Sequence, residues 1–231
     1  MKTIGLLGGM TAESSAEYYR IINQTAREKL GGIHSARSVM LSLDFEEIDL
    51  LMEAGKWDEI RDILIKGARA VERAGADFMV VCTNTMHKLV PEIQACIGIP
   101  ILNIIDVTAE QIKKRGFRTV GLLGTRFTME EDFYCNRLQQ QHGLKALIPS
   151  GEDVRTVHRI IVEELAIGEI RETSKQTYWE IMGRLADRGA EGIILGCTEI
   201  PLLVKQEEGN IPLFDTTTIH ARAAVDYALD S

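Results

Sequence analysis

Two clusters of thiol, hydroxyl and amide side chains stand at the ends of apolar runs. Cys82-Thr83-Asn84-Thr85 follows Phe78-Met-Val-Val81, and Gly196-Cys197-Thr198-Glu199 follows Ile193-Ile-Leu195. A thiol that ionises takes up protons, while hydroxyls, amides and backbone N–H groups at a strand end can hold an anion. The two clusters therefore suit proton transfer on a small carboxylate.

The elements that must position them alternate. Short β-branched runs at Ile4–Leu7, Val39–Leu43, Phe78–Val81, Ile101–Ile105, Val120–Leu123, Leu144–Ile148, Ile193–Leu195 and Ile211–Phe214 read as strands. Between Trp57 and Ala74, apolar residues at Ile60, Ile63, Leu64, Ala68 and Val71 keep helical spacing, and Gly75 ends the pattern. Strands apolar on both faces, taking turns with helices, imply parallel sheets covered by helices, an α/β architecture.

An internal repeat divides the chain. Ile4-Gly-Leu-Leu-Gly is echoed 116 residues on (4 to 120) by Val120-Gly-Leu-Leu-Gly; Gly75-Ala-Asp-Phe is echoed 114 on (75 to 189) by Gly189-Ala-Glu-Gly; Ile99-Pro-Ile-Leu is echoed 112 on (99 to 211) by Ile211-Pro-Leu-Phe. Three matches in one order predict two similar α/β halves, whose equivalent strand ends meet if the halves face each other across a pseudo-twofold. Residues 1–103 with 212–231 are expected to form the first, and 104–211 the second. In this register Thr83 is the equivalent of Cys197, and Cys82 is one place early. Ligands of open α/β sheets bind outside the carboxyl ends of the strands, so a small ligand is expected between the two equivalent strand ends.

Composition narrows the partners. The formal net charge is −8, from 34 acidic and 26 basic residues, with no block of Lys or Arg to hold a nucleic acid or an anionic membrane. No run approaches the roughly 18 apolar residues of a membrane span, and the apolar stretch within Met1–Gly9 is too short for a signal peptide, so a cytoplasmic protein is expected. Cys82, Cys96, Cys135 and Cys197 show no C-x-x-C spacing, and the five histidines show no paired spacing, so neither a disulfide framework nor a metal site is expected. Gly5-Leu-Leu-Gly-Gly9 is not a dinucleotide fingerprint, and no phosphate-binding P-loop occurs; no cofactor is implied.

The segments GLLGGMT, CTNTMHK, LLGTRFTM and GCTE together resemble the aspartate/glutamate racemase superfamily, over essentially the whole chain. The resemblance implies two flavodoxin-like αβα domains with parallel sheets, usually in a homodimer, an active site between the domains, and two cysteines working from opposite faces of the α-carbon of an acidic amino acid without pyridoxal phosphate. The second of those cysteines is matched by Cys197. At the first this chain carries Thr83, a departure. The resemblance also implies that Asn84, Thr85, Thr125 and Thr198 hold the α-carboxylate and ammonium, and that Met10 lines the cleft.

Each of these residues has a plainer reading. Cys197 could be a core thiol; as a base it must be a thiolate, helped by a helix beginning at Thr198. Thr83 could be a helix cap, or could relay a proton through water. Asn84, Thr85, Thr125 and Thr198 could each be caps or turn residues. Cys82 is expected to point away from Thr83, because successive side chains of an extended segment face opposite sides. Gly8 and Gly9 are expected to let the backbone approach a ligand. His87 is either near the site or a structural helix residue, and Glu199 either orients a neighbour or caps locally. Arg126 and Lys88 are the candidates for a side-chain carboxylate; at Ala166, where some family members carry a basic residue, this chain has none. The function expected is PLP-independent racemisation of aspartate or glutamate. Alternatives are a hydantoin racemase, maleate isomerase or arylmalonate decarboxylase activity, or a non-catalytic binding protein for acidic amino acids.

Overall fold

The computed structural model describes residues 1–230, which divide into two compact units: Met1–Ile104 with the chain from His220 onward, and Ile105–Ile219. In the first unit β1 (Ile4–Gly8) lies between β2 (Ser38–Ser42) and β3 (Phe78–Val81), all parallel. Strands β1 and β3 are buried along their whole length, which is why they read as unbroken apolar runs. The helix Trp57–Arg73 covers one face with Ile60, Leu64, Ala68 and Val71 buried as their spacing predicts. On the other face Tyr18 and Ile22 pack with Ile4, Leu6, Phe78 and Val80, and Ala221, Ala224 and Val225 join them. Each large aliphatic side chain buried this way contributes roughly 1.5–3 kcal/mol of transfer free energy.

The second unit repeats the topology with one more full strand. Its order is β5 (Lys145–Leu147), β4 (Thr119–Gly124), β6 (Ile193–Gly196) and β7 (Leu213–Asp215), again all parallel. Its core gathers Leu123, Leu195 and Ile193 with Val157, Ile161, Tyr178, Ile181 and Leu185 from the helices Gly151–Glu163 and Glu172–Asp187.

Two sequence expectations need correction. The run Ile101–Ile105 is not a strand: only Ile101 bridges to Met79, and a helix runs over Ile104–Lys114. The apolar residues Ile104, Ile105, Ala109 and Ile112, all buried, keep helical spacing, which outweighs the β-branched character of the isoleucines. Secondly, residues 212–219 belong to the second unit and not, as expected, to the first, because Leu213–Asp215 pair with β6 through Ile193↔Leu213 and Leu195↔Asp215. Only from His220 does the C-terminal helix Thr216–Leu229 join the first unit. The correction follows from the repeat itself, since Ile101 and Leu213 are equivalent and each lies beside the last long strand of its own sheet.

Candidate active site

In the second unit Leu123↔Leu195 and Gly124↔Gly196 are the last paired residues of β4 and β6, so Thr125 and Cys197 emerge at neighbouring strand ends. The two glycines permit the approach: a Cβ on Gly124 would lie 2.9 Å from the Gly196 carbonyl oxygen, and one on Gly196 2.9 Å from that of Leu123. Cys197 is partly buried against the core. Its Sγ–H donates to Glu199 Oε2 at 2.9 Å, and the Thr198 hydroxyl donates to the same oxygen at 2.7 Å. Glu199 is itself buried. Burial first, then the negative charge of Glu199 and the bond to it, push the Cys197 thiol well above its ordinary value, against a smaller opposing effect of the Glu199 and Thr198 backbone N–H groups. A helix beginning at Thr198 was expected to lower it. The helix that follows is Ile200–Leu203, too short and too late to dominate. At rest the group is a thiol held by a carboxylate.

Thr125 caps the helix Arg126–Glu130 through its hydroxyl, which accepts from Thr128 N–H at 3.4 Å, so its plain reading is structurally satisfied. Tyr178 is a residue the sequence did not flag. Fully buried, it has its phenol pushed up by desolvation and then by Cys197, Glu164 and Glu199, which places it in the electrostatic surroundings of the thiol. Only Glu199, two places past Cys197, carried a signal in the sequence.

In the first unit Thr83, Asn84 and Thr85 follow β3, and Met10 follows β1, whose Leu7 carbonyl accepts the Cys82 N–H at 2.9 Å. Thr83 is partly buried, while Met10, Asn84 and Thr85 are buried. Asn84, not Thr83, occupies the cap position of the turn Thr85–Leu89. Cys82 is fully buried in the apolar cluster with Ile4, Phe78 and Val80, and burial pushes its thiol far up. It faces the core, as the alternation of an extended segment predicts.

Gly8 and Gly9 are explained by packing within the unit. A Cβ on Gly8 would meet Ser15 Oγ at 2.4 Å; Gly9, with φ +87°, would place one 2.1 Å from the Leu43 carbonyl oxygen. Gly9 N–H donates to Ser15 Oγ at 2.7 Å. The close backbone approach expected for a ligand is here made to Leu43. The two candidate cations both lie on aromatic rings: Lys88 Nζ is 3.8 Å from the Trp57 ring centre, and the Arg126 guanidinium 4.7 Å from that of Phe127. Ala166 sits in the short turn Leu165–Ile167. Among the described residues no three His, Cys, Asp or Glu side chains gather to hold a metal ion, and no helix is long and apolar enough to cross a membrane.

The chain is 49% identical to a candidate Asp/Glu racemase from Yersinia pestis of known structure, with a TM-score of 0.93 and 100% of both chains covered. It is 38% identical to an aspartate racemase homologue from Pyrococcus horikoshii OT3, at a TM-score of 0.86 over 99% of each chain. Among curated proteins it is 26% identical over 175 residues to the broad specificity amino-acid racemase RacX of Bacillus subtilis (strain 168), covering 73% of this chain and 72% of that one. The profile of the Asp/Glu/Hydantoin racemase family matches residues 7–224, including both strand-end clusters. The chain therefore belongs to the Asp/Glu/hydantoin racemase family.

Proposed function

We propose that the protein is a PLP-independent amino-acid racemase acting on aspartate or glutamate, with Cys197 as the base for the L-enantiomer. The observation that carries this reading is the Cys197 thiol at the end of β6, hydrogen-bonded to a carboxylate that also accepts from Thr198. Racemisation needs a proton to leave one face of the α-carbon and another to reach the opposite face. In this reading Glu199 takes the thiol proton as the substrate ammonium arrives, because positive charge beside the sulfur favours its thiolate. The thiolate then breaks the Cα–H bond and becomes a thiol again. Thr83, directly or through a water, returns a proton to the other face, and solvent replenishes it while Glu199 releases its own.

A hydroxyl is a much weaker acid than a thiol, so it serves poorly as the base that D-substrate requires. L-substrate is therefore expected to reach the higher kcat and, because kcat/KM must be equal in the two directions of a racemisation, a correspondingly higher KM, so that the asymmetry appears only as the substrates approach saturation. The final ratio of enantiomers cannot change, because their free energies are equal. The test is exchange of the α-proton in D₂O, run with L- and D-aspartate and L- and D-glutamate, with and without EDTA or hydroxylamine. Exchange with L-substrate insensitive to both reagents is expected. Its loss with either reagent sinks the cofactor-free mechanism. Absence of exchange with all four substrates sinks the amino-acid racemase reading, because a binding protein shows none, and a hydantoin racemase, maleate isomerase or arylmalonate decarboxylase shows none with amino acids.

A further inference from the structure

The first unit contains two buried imidazoles that the reaction above does not use. His87 is 3% exposed and His220 fully buried, and their rings meet edge to face with centres 5.8 Å apart. The hydrogen bonds assign both tautomers. Ile104 N–H can only donate, and it lies 3.1 Å from His87 Nε2, so that nitrogen is an acceptor. The proton of His87 is then on Nδ1, which donates to the Thr83 carbonyl oxygen at 2.8 Å. In His220, Nε2 lies 2.9 Å from the Leu102 carbonyl oxygen and must donate, leaving Nδ1 to accept from the Tyr18 hydroxyl at 2.8 Å. Both rings are neutral, with their nitrogens committed.

We propose that His87 is a positioning residue for Thr83: the Nδ1–H of its neutral imidazole, the tautomer that the Ile104 N–H selects, holds the Thr83 carbonyl at the end of β3 and so sets the direction of the Thr83 side chain. The proposal rests on the racemase reading and deepens it. His87 is committed at both nitrogens and is not itself an acid or base. The neighbouring ring supports a neutral pair, since burial and His87 hold His220 down to about 3. Because Thr83 serves only the return of a proton, a fault in its position acts on one half of the reaction. Abstraction by Cys197, followed by return from the same face, still converts L-substrate to its α-deuterated form in D₂O. Formation of the D-enantiomer needs Thr83.

The experiment measures both rates in D₂O for the wild type, His87→Asn and His87→Gln. An Asn amide N–H reaches the place of Nδ1 and keeps the bond to Thr83; a Gln amide reaches only the place of Nε2 and loses it. His87→Asn should form D-product within about threefold of the wild type. His87→Gln should form it at least about tenfold more slowly, while α-deuteration of the recovered L-substrate falls by less than about threefold. Equal loss of both rates in His87→Gln, no loss in either, or an Asn variant as poor in D-product as the Gln variant overturns the proposal. A wild type that exchanges no α-proton overturns the racemase reading first, and this inference with it. Should His87→Gln fail to fold, ¹⁵N spectra of the wild type at about pH 7 still decide: His87 must show the neutral Nδ1–H tautomer, and a charged ring or the other tautomer refutes the clamp.

Discussion

The ends of β3 and β6 occupy equivalent places in two sheets of the same topology, yet their chemistry differs. At β6 a thiol donates to a buried carboxylate two residues on. At β3 the equivalent residue is Thr83, whose carbonyl is held by His87, while the nearest thiol, Cys82, is sealed in the core. A duplicated fold preserves strand pairing and close packing, because a fault there costs stability. The side chains that emerge past the last strand residue are under no such restraint, so the two ends are free to differ in chemistry.

The largest effect expected from breaking this asymmetry is at Cys197. Cys197→Ser keeps the shape but replaces the base with an alcohol that is un-ionised at neutral pH, and L-substrate turnover should fall by roughly 10²–10⁴-fold. Ligand binding, followed by calorimetry, should persist. A variant retaining about a tenth of wild-type turnover would move the base elsewhere.

Thr83→Cys makes the two ends chemically alike. The D-to-L rate, read by chiral chromatography, should rise about tenfold or more, because a second thiol now faces the α-proton of the D-enantiomer. An unchanged D-to-L rate would refute the role given to Thr83.

Glu199→Gln sharpens the comparison from the side of β6. The carboxylate raises the thiol value, so its removal should let the thiolate form at lower pH. The rate of Cys197 alkylation, which rises with pH as thiolate forms, should therefore begin its rise at lower pH in the variant. Turnover should nevertheless fall, by about tenfold, for want of the proton acceptor. An alkylation profile displaced to higher pH, or unchanged, contradicts this electrostatic account.

The smallest effect is expected at Cys82. Its thiol is buried and pushed up, so native protein should protect it from alkylation, and Cys82→Ala should keep activity within about twofold while costing stability on the order of 1 kcal/mol. Activity lost in a variant that melts normally would show that the out-of-step cysteine takes part.

Alternating apolar runs, with a repeat of nearly constant spacing, were enough to read an α/β chain of two parallel sheets, because burial on both faces imposes a composition that survives in one dimension. The strand ends bearing Thr83 and Cys197 were legible for the same reason, and the inward turn of Cys82 followed from local geometry alone. The limits of the strand near Ile101 were not legible: β-branched residues suit a buried helix as well as a strand, and the choice depends on what packs against them. Nor did the sequence show that Leu213–Asp215 pair with β6, that the Gly9 backbone presses on Leu43, or that Tyr178 lies near the thiol. The protonation of Cys197 was misread for a related reason. Proximity to a helix start is written in the chain, whereas burial of the thiol, the first cause of its shift, arises only when distant segments close around it. Hydrogen-bond direction at His87 likewise depends on Ile104, seventeen positions away (87 to 104), whose N–H meets the ring only in the folded unit.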